Sequence, residues 1–142
     1  MTTLAATALR EFQLADLDDY PVIASDIIYQ GAAVGENASG YARPLAGQDP
    51  FLGFAVETAD NSAGAAGDIN VRVRTRGVVR LTVAGATAIT ANDRPAVYAT
   101  DDNTFTLTST TASLIGYVRR WLASTDCLVE FDALAVKAAL HA

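Results

Sequence analysis

One segment of the chain alternates strictly between apolar and polar side chains, and this pattern constrains the fold more than any other feature. Residues 69–76 read Ile-Asn-Val-Arg-Val-Arg-Thr-Arg. A period of two is that of a β-strand, because successive side chains point to opposite faces of a sheet. One face of the predicted strand carries Ile69, Val71 and Val73. The other carries the arginine stripe, Arg72, Arg74 and Arg76.

Other short segments rich in β-branched and aromatic residues are separated by turn-forming sequences. The predicted strands occupy residues 27–30, 51–57, 78–83, 96–100, 104–108, 113–121 and 127–131. Strings such as Asp-Asn-Ser-Ala-Gly and Asp-Asp-Asn lie between them, and these residue types favour turns. Short strands interrupted this often are typical of small closed folds. We expect a mainly β protein, a small β-barrel or β-sandwich.

Two parts of the sequence resemble each other at an offset of 63 residues. Ala33-Val34 corresponds to Ala96-Val97, and Phe-Leu-Gly-Phe-Ala at 51–55 corresponds to Leu-Ile-Gly-Tyr-Val at 114–118. Both halves then pass through a polar loop into an alternating segment. This pattern predicts two similar β units that close around one core.

The first 20 residues differ from the β segments. Ala5, Ala8, Leu9 and Phe12 have the spacing of one helical face, and Pro21 ends the pattern. Burying its large apolar residues supplies about 7–15 kcal/mol, whereas ordering the backbone costs about 20–40 kcal/mol. We therefore expect an arm that is mobile or that docks on the core or on a neighbouring chain. Its candidate contact residues are Leu4, Leu9, Phe12, Leu14 and Leu17.

The last ten residues form a third region. Asp132 is a suitable N-cap for a short helix over residues 133–140 with Val136 and Leu140 on one side. We expect this helix to cover the mouth of the barrel. The chain thus divides into an N-terminal arm (1–20), a β domain (21–132) and a C-terminal tail (133–142).

Histidine, lysine and cysteine each occur once, and this scarcity restricts the chemistry. His141 is poorly placed for a Ser-His-Asp or Cys-His site, and Lys137 does not belong to a phosphate-binding loop. One cysteine and one histidine are too few for a zinc site. Cys127 alternates with Val129 and Phe131, which predicts a buried thiol. We expect no enzymatic activity, no cofactor and no metal.

Length and composition indicate one folded domain. A chain of 142 residues buries roughly 70% of its extended surface, and 51% hydrophobic residues exclude wholesale disorder. No apolar run reaches the length of a membrane helix, and the start lacks the features of a signal peptide. We expect a soluble protein that is used where it is synthesised, with no membrane partner.

Charge is distributed unevenly along the chain. Residues 1–60 hold two basic and nine acidic residues, a net charge of -7, whereas residues 61–142 hold eight basic and seven acidic residues, a net charge of +1. The overall charge of -6 opposes the electrostatic attraction on which nucleic-acid binding depends. The arginine stripe is therefore expected to be either an exposed polar face or a protein interface.

Several glycine-containing strings occur in an order that resembles a known family. They are Gly-Ala-Ala-Val-Gly at 31–35, Pro-Phe-Leu-Gly-Phe-Ala-Val at 50–56, Ile-Asn-Val-Arg-Val at 69–73, Gly-Val-Val at 77–79, Pro-Ala-Val-Tyr at 95–98, Thr-Phe-Thr-Leu-Thr at 104–108, Leu-Ile-Gly-Tyr-Val at 114–118 and Leu-Val-Glu-Phe at 128–131. In this order they resemble the capsid cement, or head decoration, proteins of tailed bacteriophages, some of which have carried a recombinase-like label. The resemblance covers about residues 22–132. Asp93-Arg94-Pro95 departs from the Gly-Asp turn that the family more often has.

The resemblance implies a compact, tulip-like β domain that forms homotrimers on the outside of an icosahedral head and bridges major capsid proteins. It implies a location on the capsid exterior of the virion, and in the host cytoplasm during assembly, with no catalytic residues. On this view the arm reaches a neighbouring subunit, and the arginine stripe meets an acidic partner on the capsid or on an adjacent protomer.

Two other classes of protein remain open. A receptor- or glycan-binding β module of a virion needs exposed aromatic residues on loops, for which Tyr20 and Tyr41 are the candidates. A small hydrolase or lyase that uses carboxylates alone needs a suitably spaced pair, and no pair among the 16 acidic residues is singled out by spacing.

Overall fold

The structure is a computed structural model, and it describes Ala6 and residues 16–140. The described residues form a mainly β fold with short helices. The strands are β1 (Leu17–Pro21), β2 (Asp26–Ile28), β3 (Ala33–Glu36), β4 (Ala42–Pro44), β5 (Phe51–Ala55), β6 (Ala59–Asn61), β7 (Asn70–Arg74), β8 (Arg76–Ala84), β9 (Ala96–Ala99), β10 (Phe105–Thr106), β11 (Ser113–Ala123) and β12 (Asp126–Asp132). The helices are α1 (Thr90–Asp93) and α2 (Ala133–Leu140).

The first half of the fold, the N-terminal unit, is a five-stranded sheet in the order β1-β7-β5-β3-β4. Its two edges approach each other where Val22, just after β1, forms a parallel bridge with Ala42 of β4. β2 and β6 form a separate two-stranded ribbon beside it. The second half, the C-terminal unit, is a closed barrel of β10-β8-β12-β11-β9. The prediction of a mainly β fold is therefore confirmed.

The two units have the same topology. β1, β7, β5, β3 and β4 correspond in order to β8, β12, β11, β9 and β10, and every antiparallel pair in one unit has its counterpart in the other. The register is also shared, since Val34 faces Gly53 in one unit and Val97 faces Gly116 in the other. This arrangement confirms the internal similarity predicted at an offset of 63 residues.

The prediction of a single core is wrong, because the buried apolar residues form two clusters. The larger cluster combines Phe51 and Phe54 of the N-terminal unit with residues of the C-terminal unit such as Phe131. The smaller cluster, which includes Val71 and Val73, lies entirely within the N-terminal unit. The larger cluster therefore holds the two units together.

Residues 70–74 of the alternating segment form strand β7 as predicted, but the predicted single strand over residues 69–76 is divided at Thr75. Val71 and Val73 are fully buried, whereas Arg72 and Arg74 are exposed. β7 continues through Thr75 into β8, so Arg76 begins a strand of the C-terminal unit. Cys127 is fully buried, as expected, and burial raises the pKa of its thiol.

The start of β1 and the start of α2 meet at Thr75. The Thr75 amide donates to the Asp16 carbonyl at 2.9 Å, and the Ala133 amide donates to the Thr75 carbonyl at 2.9 Å. Leu17–Pro21 forms strand β1, so these residues belong to the sheet rather than to a separate arm. The rest of the predicted arm lies outside the described residues, apart from Ala6.

The predicted C-terminal helix is present as α2. Oδ1 of Asp132 accepts hydrogen bonds from the amides of Leu134 (3.1 Å) and Ala135 (3.2 Å), which is N-capping geometry. α2 packs against β5, β11 and β12, with Val136 only 3% exposed. Among the described residues, no helix is long and apolar enough to cross a membrane.

Candidate functional site

Three grooves surround the point where α2 leaves β12, and each has Asp132 in its lining. The first, of about 600 Å³, lies between Asp16 and the start of β8. The second, of about 400 Å³, lies between β11 and α2. The third, of about 360 Å³, is lined by Glu36 and Leu134. We call the surrounding surface the terminal face and define it by Leu17, Arg74, Arg76, Val78, Arg94, Tyr117, Glu130 and Leu134.

Exposed apolar side chains concentrate on the terminal face. Six large hydrophobic residues are exposed in the part of the chain that the structure describes, and four of them lie here. Their exposed fractions are 38% for Leu17, 47% for Val78, 47% for Tyr117 and 77% for Leu134. Single exposed apolar residues are normal on protein surfaces, whereas a group of them around grooves marks a candidate interaction surface.

The strand register explains how these side chains meet. In β12, Val129 and Phe131 point into the core, so Glu130 between them points outward. Glu130 pairs with Val78 of β8 on one side and with Tyr117 of β11 on the other. Val78, Glu130 and Tyr117 therefore form a row across the outside of the barrel, with the carboxylate between the two apolar side chains. Arg119 forms an ion pair with Glu130.

From the sequence we expect Tyr117 and Trp121, which lie on one face of the predicted strand over residues 113–121, to pack in the core. For Tyr117 this prediction is wrong, because its side chain is 47% exposed. Irregularities in the pairing of β11, between Leu114 and Gly116 and between Val118 and Arg120, interrupt its alternation. Trp121 does pack against the larger core cluster, and its indole Nε1 donates to the Ser124 carbonyl at 2.8 Å.

The arginine stripe finds acidic partners within its own chain. Arg72 Nε lies 3.1 Å from Asp19 Oδ1, and Arg74 Nη1 lies 3.4 Å from Asp16 Oδ2. Hydrogen bonding to Asp19 raises the pKa of Arg72. Because both pairs are about half exposed and screened by solvent, each contributes little to stability. They hold the edge strand β1 against β7 without burying charge.

Two arginines of the terminal face, Arg76 and Arg94, form no ion pair with any residue that the structure describes. Arg76 lines the first and third grooves, and Arg94 lines the second. Elsewhere on the described chain Arg120 is in the same state, whereas Arg80 is paired with Asp126 at 2.9 Å. Hydrogen bonding to Arg80 lowers the pKa of Asp126. Arg76 and Arg94 are therefore the cations best placed to meet an acidic partner.

The structure brings together only part of the predicted site. Leu17, Arg74 and Arg76 lie on the terminal face, and Arg72 lies next to it on β7. Leu4, Leu9, Phe12 and Leu14 lie outside the described residues. The predicted site did not include Val78 or Leu134. Val78 alternates with Arg76 and Arg80 along β8, so period two alone would have placed it on the outward face, whereas the exposure of Leu134 follows from the orientation of α2.

The predicted loop tyrosines are not the exposed ones. Tyr20 lies in β1 and is partly buried, and burial raises the pKa of its hydroxyl. Tyr41 is also partly buried, and its amide donates to Oδ1 of Asn37 at 3.0 Å. Tyr29 and Tyr117 are exposed instead. Within residues 16–140, no group of three or more His, Cys, Asp or Glu residues is arranged to hold a metal ion.

In comparisons with protein-family models, with curated proteins and with solved structures, this chain has no match. The resemblance to capsid cement proteins therefore remains a prediction from the order of glycine-containing strings. The fold and the candidate site together define a mainly β protein of two similar units, with an apolar surface that contains arginines at one end.

Proposed function

We propose that this protein is a structural virion protein, a capsid cement protein that binds the outer surface of the expanded phage head and bridges major capsid protein subunits. The observation that carries the proposal is the grouping of exposed apolar side chains and uncompensated arginines on the terminal face. Tyrosine and arginine are enriched at the energetic centres of protein interfaces. The sequence resemblance supports the same function.

The chemistry of the terminal face indicates what its partner must offer. Val78 and Tyr117 need an apolar surface to cover them, and Arg76 and Arg94 need carboxylates. A capsid surface with an acidic rim around an apolar depression meets both needs. Arg72 and Arg74 already form ion pairs with Asp19 and Asp16 at the border of this face. An acidic partner that binds the arginine stripe must therefore compete with these two aspartates.

The N-terminal residues extend the proposed contact. The described chain begins again at Asp16, on the rim of the first groove. Fifteen residues precede it, and in an extended form they span at most about 50 Å. We assign Leu4, Leu9, Phe12 and Leu14 to contacts with a neighbouring subunit, reached from the terminal face.

Homotrimer formation completes the proposal. A trimer presents three terminal faces, and several weak contacts to one shell together give strong binding. The proposed location is the capsid exterior of the virion, reached from the host cytoplasm during assembly. The function requires no catalysis, no cofactor, no nucleic acid and no membrane.

Co-sedimentation with purified expanded heads tests the proposal. We expect Tyr117→Ala and Arg76→Glu each to weaken binding roughly tenfold, because each removes a contact worth about 1.4 kcal/mol. Tyr29→Ala and Arg120→Glu are matched controls, since Tyr29 is an exposed tyrosine outside the terminal face and Arg120 lines none of the three grooves and forms no ion pair with a described residue. They should bind like the unmodified protein.

Deleting residues 1–15 should also weaken binding while leaving the β domain folded, because β1 is retained. Equal binding by all variants would contradict the assignment of the terminal face. Failure of the unmodified protein to bind heads at all would contradict the proposed function itself.

A further inference from the structure

A cleft of about 520 Å³ lies between two turns that come from different units of the fold. The turn that joins β2 to β3 contributes one wall and the floor, and the turn that joins β9 to β10 contributes the other wall. The lining residues are Tyr29, Gln30, Gly31, Ala32, Asp102 and Asn103. We call it the Tyr29 cleft.

Hydrogen bonds fix both walls of the Tyr29 cleft. The Ala32 amide donates to the Tyr29 carbonyl at 3.0 Å, which closes the first turn. The Ala33 amide donates to the Asp102 carbonyl at 2.9 Å, which ties the first turn to the second. The Gln30 amide donates to Oγ1 of Thr58 at 3.0 Å. A cleft held in this way loses little conformational freedom when a ligand binds.

The side chains of the cleft combine one aromatic ring with polar groups. Tyr29 is 61% exposed and is the most exposed aromatic residue in the part of the chain that the structure describes. Gln30 and Asn103 offer amide donors and acceptors, and the Asp102 carboxyl offers acceptors. Burial and the charge of Asp101 raise the pKa of Asp102. The cleft is therefore open and polar, with one flat apolar surface.

This composition selects among classes of ligand. Among the residues that the structure describes, no cation lines the cleft, and Asp101 and Asp102 are adjacent, so phosphate and other anions are repelled. A neutral sugar ring fits better, since its C–H face can stack on a tyrosine while its hydroxyls exchange hydrogen bonds with carboxyl and amide groups.

The Tyr29 cleft and the terminal face lie at opposite ends of the same strands. β3 runs from Ala33, next to the cleft, to Glu36, which lines the third groove. β9 runs from Ala96, which faces Tyr117, to Ala99 before the Asp101–Asn103 turn. Four residues of strand separate the two ends by about 13 Å. A protein held by its terminal face leaves the cleft open to solution.

From this arrangement we infer that the Tyr29 cleft is a binding site for a neutral saccharide, with Tyr29 as the stacking surface and Asp102, Asn103 and Gln30 as hydrogen-bonding groups. Such a ligand is found in polysaccharides of cell surfaces. The site does not depend on the capsid-binding role, because it uses none of the residues of the terminal face.

An array of neutral oligosaccharides, probed with the full chain displayed on beads, tests this inference. We expect the unmodified protein to bind at least one class of neutral glycan. Tyr29→Ala should reduce that signal at least tenfold, and Tyr29→Phe should retain most of it because the ring remains. Tyr117→Ala is the matched control and should bind normally, and thermal unfolding of each variant checks that it is folded.

Two outcomes overturn the inference: no neutral glycan bound by the unmodified protein, or binding that survives Tyr29→Ala. Equal losses in Tyr29→Ala and Tyr117→Ala also overturn it, because the ring at the cleft is then not specifically required. None of these outcomes bears on binding to phage heads, so the two proposals can fail separately.

Discussion

Replacing Gly116 with alanine is expected to lower the free energy of unfolding by about 3 kcal/mol. Gly116 lies in β11 against β12, and a Cβ at this position would overlap the carbonyl oxygen of Glu130 and lie 2.9 Å from the Cα of Phe131. Both contacts are with backbone, which cannot move without disturbing the pairing of the two strands. Urea denaturation of the variant and of the unmodified protein measures the change.

Substitutions at two other glycines distinguish the cost of steric overlap from the cost of backbone strain. Gly53 is the counterpart of Gly116 in the N-terminal unit, where a Cβ would overlap the Arg74 carbonyl oxygen and the backbone φ is also +133°. Gly53→Ala should therefore cost at least as much. Gly40 has φ +86° and open space around it, so Gly40→Ala should cost only about 1 kcal/mol. A loss below 1 kcal/mol for Gly116→Ala would contradict the close approach of β11 and β12.

Replacing Phe131 with alanine should lower the free energy of unfolding by about 3–5 kcal/mol. Phe131 is 2% exposed, and its ring centroid lies 4.9 Å from that of Phe54 and 6.2 Å from that of Phe51, both in edge-to-face geometry. Because Phe131 belongs to β12 and its partners belong to β5, the substitution removes a contact between the two units as well as buried area.

Phe131→Leu is the matched control, since it keeps most of the volume but loses the ring contacts. It should cost roughly 1–1.5 kcal/mol. Denaturation followed by tryptophan fluorescence, through Trp121 in the C-terminal unit, and by circular dichroism, which reports on both units, measures stability. If Phe131→Ala costs no more than Phe131→Leu, the aromatic cluster does not hold the units together.

The strands that the sequence predicted are those whose own side chains alternate or are mostly apolar. The strands β7, β8 and β12 are of this kind, and their outward and inward faces follow from period two alone. β1 escaped prediction because Leu-Asp-Asp-Tyr-Pro looks like a turn-rich segment. Its residues form a strand because β7 supplies a partner edge, on which Arg72 lies opposite Asp19.

The candidate site was predictable only in part because it depends on pairing between distant segments. Arg72 and Asp19 are 53 residues apart in the chain, and only the β1–β7 register brings them together. The exposure of Tyr117 depends on irregular pairing in β11, which period-two counting misses. The shared topology of the two units was visible in the sequence only as a few matching strings, because most side chains differ between the units although the strand register is the same.

Cryo-electron microscopy of expanded phage heads mixed with this protein tests the proposed function most directly. We expect density for the two β units on the outside of the head, with Val78, Tyr117 and Leu134 against the shell and Tyr29 pointing to solution. Heads without this density, or density with the Tyr29 end seated on the shell, would contradict it.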